Sequence, residues 1–166
     1  RGREGINGTD ISSYIKHIPS LNSSKINKLK DITVRGELII SRKNYKKYEK
    51  DYSNSRAMVN GLINSKKVNT KLLKIIDFVV YELINPRKKS SEQFKLINNY
   101  GFKIVYNKIV KKLSEKIAGD FLEKRRKDSE YDIDGIIFTH NKFYDENKTS
   151  NPKQSFAWKQ INEVKE

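Results

Sequence analysis

The segment EYDIDGIIF, residues 130–138, sets two carboxylates two positions apart inside a run of strand-forming side chains. β-Branched and aromatic residues predict a strand here, and a period of two puts Asp132 and Asp134 on one face of it. Charge is costly there. A carboxylate beside a glycine in a strand usually serves a metal or ligand, and the missing side chain admits a second backbone. An edge strand with solvated acids is the plain alternative, and in isolation it is the better one. Two other stretches shift the balance. In VRGELI, residues 34–39, alternation sends Val34, Gly36 and Leu38 one way and Arg35 and Glu37 the other. In SFAWKQ, residues 155–160, Lys159 faces away from Phe156 and Trp158. Together these strands carry acids and a lysine.

A chain of 166 residues holds one domain with a real core and is too short for several. Nine Tyr, seven Phe and many Ile argue against disorder despite 33% charged residues. The formal charge of +15 implies a polyanionic partner such as nucleic acid, but the lysines are spread along the chain and AT-rich coding produces the same bias. Cysteine is absent, which excludes disulfides and thiolate metal sites and fits a reducing compartment. Neither a signal peptide nor an apolar run of membrane length is present, so the expectation is a soluble cytoplasmic protein with no membrane partner.

Glycines at 2, 5 and 8 read as turns and a close backbone approach. A short helical turn around Tyr14, Ile15 and Ile18 precedes Pro19 and a lysine-rich connector. Ser41 is an N-cap for a short amphipathic helix running towards Tyr52. A helical turn from Lys71 to Ile76 leads into a strand from Asp77 to Leu83. Ser90 and Gln93 form a capping box for a helix that passes Phe94 and Ile97 and stops at Gly101. A strand from Phe102 to Tyr106 follows. Leu113, Ile117, Ala118, Phe121 and Leu122 recur at helical spacing, giving an amphipathic helix to about Arg126. Residues 140–153 read as a loop, in which the lone His140 is more often neither ligand nor base.

The order RGE at 35–37, DG before apolar residues at 134–138, and aromatic-Ala-aromatic-Lys at 156–159 resembles motifs III, IV and V of the covalent nucleotidyltransferases, most closely the NAD-dependent DNA ligases. Gly5, Gly8, Asp10 and Ile11 align with that family's Gly-rich segment. NSRAMVNGLIN, residues 54–64, resembles its helix of small residues, with Asn54, Arg56 and Gly61 matching. The resemblance implies an α+β fold of antiparallel sheets with flanking helices, an ATP-grasp-like nucleotidyltransferase domain. It implies that residues 1–166 are a single, N-terminally truncated adenylation domain, beginning after the nucleophile motif KxDG and ending before the oligonucleotide-binding domain.

By the same resemblance, Arg1 (with Arg3 as the alternative) contacts the nucleotide substrate, Glu37 accepts hydrogen bonds from the ribose hydroxyls, and Tyr81 stacks on adenine. Arg126 belongs to the nucleotide site, Arg56 points at nucleotide and nick phosphates, Asp134 binds Mg²⁺, and Lys159 touches the α-phosphate. The cofactors implied are NAD and Mg²⁺, and the substrate is nicked double-stranded DNA. Nicotinamide-mononucleotide-binding, oligonucleotide-binding and helix-hairpin-helix domains complete such enzymes, which act as monomers. The lysine-rich composition suggests a divergent, viral member working in host cytoplasm or a viral factory.

Three departures stand out. No KxDG occurs, so the lysine that carries AMP is not in this chain and the fragment alone is expected to be inactive. Asn64 replaces the helix's second arginine, with Lys66 or Lys67 as substitutes, and Thr139 occupies the motif IV lysine position, with Lys142 three residues further on. The alternatives are an ATP-dependent ligase or capping enzyme, and a non-catalytic basic nucleic-acid-binding module.

Overall fold

Val80 and Leu83 are both fully buried although they lie three residues apart in the longest strand, Ile76–Asn85 (β2), with the half-exposed Tyr81 between them. Strict alternation forbids that, and the strand pairing supplies the reason. In the computed structural model, which describes residues 8–144 and 155–159, β2 pairs antiparallel with Thr33–Ile40 (β1). Gly36 lies opposite Val80 and Arg35 opposite Glu82, so Tyr81 is one residue too many for its partner: a β-bulge. Phe78, Val80 and Leu83 consequently share a face with Val34 in one apolar cluster. Arg35, Glu37, Val79 and Tyr81 take the other face.

The third strand, Lys103–Ile104 (β3), runs parallel to β2, so the sheet is mixed rather than antiparallel throughout. Helix α4, Ser90–Asn99, forms a crossover that returns the chain in the same direction. The strand expected from Phe102 to Tyr106 shrinks to two residues because Phe102 is buried in the core beside Ile97, whereas Tyr106 has left the sheet. The expected capping box is also replaced. Lys89 holds the cap position with no side-chain bond, and Gln93 accepts a hydrogen bond from the Leu83 amide at 3.0 Å, tying α4 to β2. The stop at Gly101 stands, with φ at 89°.

After β1, Ser41 accepts from the Asn44 amide and caps Arg42–Tyr45 (α1), shorter than expected because the chain then winds through turns to Tyr52. Asn54 caps Ser55–Ile63 (α2), accepting from the Ala57 amide at 2.7 Å. Met58, Val59 and Leu62 of α2 pack on Ile40 and Ile76 together with Leu73 of Thr70–Leu73 (α3). Helix Glu115–Asp128 (α5) buries Ala118 and Leu122 against Ile136. Leu113 lies ahead of it and is exposed, as is Ile117. A two-stranded antiparallel sheet, Ile136–Thr139 (β4) with Ser155–Trp158 (β5), completes the described residues. None of their helices is long and apolar enough to cross a membrane.

The glycine at 36 is dictated by packing. A Cβ there would lie 2.6 Å from the Val79 carbonyl oxygen and 2.7 Å from the Phe78 ring, and backbone cannot yield as a side chain can. Gly36→Ala should therefore cost about 1–3 kcal/mol, read as a lower urea midpoint, whereas an unchanged midpoint would show that β1 and β2 are less closely apposed.

Candidate active site

Strand β4 begins only at Ile136, so Asp132 and Asp134 lie in irregular chain before it rather than on one strand face. Their side chains take different partners. Asp132 accepts from Arg42 Nε at 2.8 Å, and Asp134 pairs with Lys159 Nζ at 2.9 Å. The second contact depends on Gly135, where a Cβ would sit 2.8 Å from Lys159 Cγ and 2.9 Å from the Trp158 carbonyl. The missing side chain is what lets the end of β5 lie against the acid.

Arg126 stands on the last turn of α5 and turns back on the same segment. Its Nε donates to the Ile133 carbonyl at 3.2 Å and its Nη2 to that of Asp134 at 3.5 Å. It thus supports Asp134 through the backbone on either side of the Ile133–Asp134 peptide. Arg56 lies in the first turn of α2, a turn that carries no acidic residue. A cation at the positive end of a helix is unfavourable unless it meets an anion. Arg56 Nη2 reaches Glu37 Oε1 at 3.5 Å, and its charge also acts on Asp134.

Glu37 with Arg56, and Asp134 with Lys159 and Arg126, thus make two bonded sets, and the group they form together is linked through the Arg56 charge that acts on Asp134. Tyr81 lies on the sheet face that carries Glu37, held outward by the bulge and 43% exposed. Arg1 falls outside the described residues. Two acids among three cations leave the group net positive, an arrangement that attracts phosphate. The carboxyl of Asp134 is held below the ordinary 3.8, chiefly by the hydrogen bond from Lys159; burial pulls the other way, and Arg56 adds a smaller favourable charge.

The two departures from the ligase motifs have local structural roles. Asn64 caps the end of α2 and donates to the Asn60 carbonyl at 2.9 Å. Thr139 shares a 2.8 Å hydrogen bond with Ser155 across the β4–β5 pair, and His140 Nδ1 lies 2.6 Å from the Tyr144 hydroxyl. No group of three or more metal-binding side chains occurs among the described residues.

Sequence reasoning missed the residues that join the two sheets. Tyr131 donates its hydroxyl to Asp77 at 2.7 Å, while Lys103 pairs with Asp77 at 3.2 Å and Glu130 at 2.9 Å. Burial opposes the Lys103 charge, but bonds to Tyr131, Glu130 and Asp77 outweigh it and raise its pKa; burial is the main cause of the raised Tyr131 pKa. Nothing in the sequence pairs residues this far apart.

The pattern of the NAD-dependent DNA ligase adenylation domain matches residues 1–159. The chain belongs to that family. It is 40% identical over 162 residues to a DNA ligase of Acanthamoeba polyphaga mimivirus, covering 94% of this chain and 25% of the relative. A DNA ligase of Mycoplasmopsis agalactiae is 31% identical over 176 residues, covering 98% of this chain and 26% of that protein. One from Pelagibacter ubique is 31% identical over 148 residues, with 86% and 22% covered. The chain thus spans about a quarter of the length of the curated relatives it matches. For this adenylation-domain sequence, the match favours the ligase reading over a capping enzyme or a non-catalytic binding module.

The Asp134 pair makes an acid-side prediction. Because the folded carboxyl lies below its ordinary value, the pair's stabilisation is present above that value and fades as pH falls through the lowered one. Lys159→Met should move the Asp134 carboxyl titration up towards 3.8, as followed by carbon-13 NMR. An unmoved titration would mean that the two side chains do not pair in solution.

Proposed function

We propose that this chain is the nucleotide-binding part of a ligase that seals nicks in duplex DNA, with NAD as adenylyl donor. The observation that carries the reading is the Glu37–Arg56 pair on the sheet face that also bears the exposed Tyr81, with the Arg56 charge acting in turn on the Asp134–Lys159 pair. An adenosine monophosphate group fits this chemistry. The Tyr81 face offers stacking area to adenine, and the ionised Glu37 on a paired strand is suited to accept hydrogen bonds from ribose hydroxyls. Lys159, a mobile point charge, sits where an α-phosphate would be neutralised, with Arg56 directed at the phosphates of nucleotide or nick. Arg126 keeps the Asp134 segment in place, and Arg1 completes the nucleotide contacts.

Asp134 suits Mg²⁺ as a single exposed carboxylate, since that ion keeps several waters and takes one or two protein oxygens together with substrate phosphates. Bound there, Mg²⁺ would neutralise phosphate charge during transfer. In the intact protein the attacking lysine comes from outside these 166 residues, as do nicotinamide mononucleotide recognition and the oligonucleotide-binding and helix-hairpin-helix domains. The protein acts as a monomer in the cytoplasm, or in a viral factory if its origin is viral. Thr139 leaves one phosphate cation fewer than the family pattern carries, a role that falls to Lys142 or is dispensed with.

The test is covalent labelling of the intact protein. Incubation with NAD labelled in its adenylate should transfer label to the protein, labelled ATP should not, and Glu37→Ala or Lys159→Ala should abolish transfer. Label from ATP alone would overturn the NAD assignment, and full labelling of either variant would remove that residue from the site.

A further inference from the structure

Arg42 is separated from β1, the strand that carries Glu37, by Ser41 alone, yet three of its nitrogens bond to the end of α5 and the segment that leads from it to Asp134. Its backbone N–H donates to the Glu130 carbonyl at 2.8 Å, Nε to Asp132 Oδ1 at 2.8 Å, and Nη2 to the Arg126 carbonyl at 2.6 Å. The Arg126 carbonyl is in the last turn of α5, where the final four carbonyls have no partner within the helix. A guanidinium there satisfies one of them and meets the negative end of the helix dipole. The side chain of that same Arg126 then holds the carbonyls of Ile133 and Asp134. Two arginines in relay therefore run from the end of β1 to Asp134.

We propose that Arg42 is a positioning residue for the nucleotide site, fixing the spacing between Glu37 on the three-stranded sheet and Asp134 ahead of the two-stranded one. The role rests on the reading of Asp134 given above, but the grip itself does not. Arginine is required because its planar fork addresses a carboxylate and a carbonyl at once, which an ammonium on a flexible stem cannot do with the same geometry. Tyr131 and Lys103 brace the same segment from Asp77, which is why the loss of Arg42 should loosen residues 130–135 without unfolding the chain. Nucleotide binding through Glu37 and Tyr81 would persist, while the chemistry at Asp134 would suffer.

Two measurements decide this. In the intact protein, Arg42→Gln should lower the maximal rate of self-adenylation by about tenfold with the KM for NAD within about twofold, since displacement of a reacting group costs rate more than binding. Added to Asp134→Asn, it should cost nothing further, and Arg42→Lys should recover part of the loss. In the 166-residue chain, Arg42→Gln should speed amide hydrogen exchange at residues 130–135 by about tenfold while α2 and β1 keep their protection. Should Arg42→Gln fold poorly, Asp132→Ala removes a single one of these bonds and should speed exchange over the same residues. Unchanged exchange would overturn the grip, and independent, multiplying losses in the double variant would overturn the link to Asp134. Normal adenylation by Asp134→Asn would instead sink the assignment of that aspartate, leaving exchange to judge Arg42.

Discussion

Because β1 and β2 pair antiparallel from Ile40 and Ile76 onward, with surplus residues in β2 at Tyr81 and again at Ile84, the sheet acquires a buried face and a chemically distinct outer face. On the buried side the interruption is absorbed by Val80 and Leu83, which both stay in the core. On the outer side it leaves an aromatic ring beside a line of charge: Glu37 opposite Val79, and Arg35 paired with Glu82. Gly36 allows the approach that makes this ladder possible. Glu37 and Tyr81 of the candidate site stand on this surface, and Arg56 reaches it through Glu37.

The second sheet has little apolar anchorage of its own. Its described core is Ala118, Leu122 and Ile136, with Phe138 and Trp158 packed at the margin. Polar ties do the rest, through Arg42 to residues 126–132 and through Tyr131 and Lys103 to Asp77. The charged pairs at the site differ in character from those ties. Glu37, Arg56, Asp134 and Lys159 all have side chains more than half exposed, and pairs of that kind contribute only about 0–1 kcal/mol. Such partners exchange readily. On the function proposed above, a phosphate could therefore take Lys159 and Arg56 from the acids at small cost.

Parts of the scaffold were legible in the sequence, and so were the strand faces that carry some of the candidate residues. Glu37 was placed correctly on its face by simple alternation, since the bulge lies in the partner strand and leaves β1 undisturbed. The α2 helix followed from resemblance alone, and the structure adds that Asn54 caps it. The expected strand through Asp132 and Asp134 failed because strand propensity ignores competing partners: Arg42 and Lys159 draw the two acids apart. The capping box at Ser90 failed for a similar reason, as Gln93 serves β2 instead. The bulge at Tyr81, the parallel β3 and the Tyr131–Asp77 contact depend on residues distant in sequence, where local pattern carries no signal.

The most direct test of a shared nucleotide cleft is an NMR titration of the isotope-labelled 166-residue chain with adenosine monophosphate. Saturable shifts confined to Glu37, Arg56, Tyr81, Asp134 and Lys159 and their neighbours, all following one binding curve, are the predicted result. Shifts that gather elsewhere, such as on the outer face of α5, or that divide into curves with different midpoints for the two sheets, would contradict it.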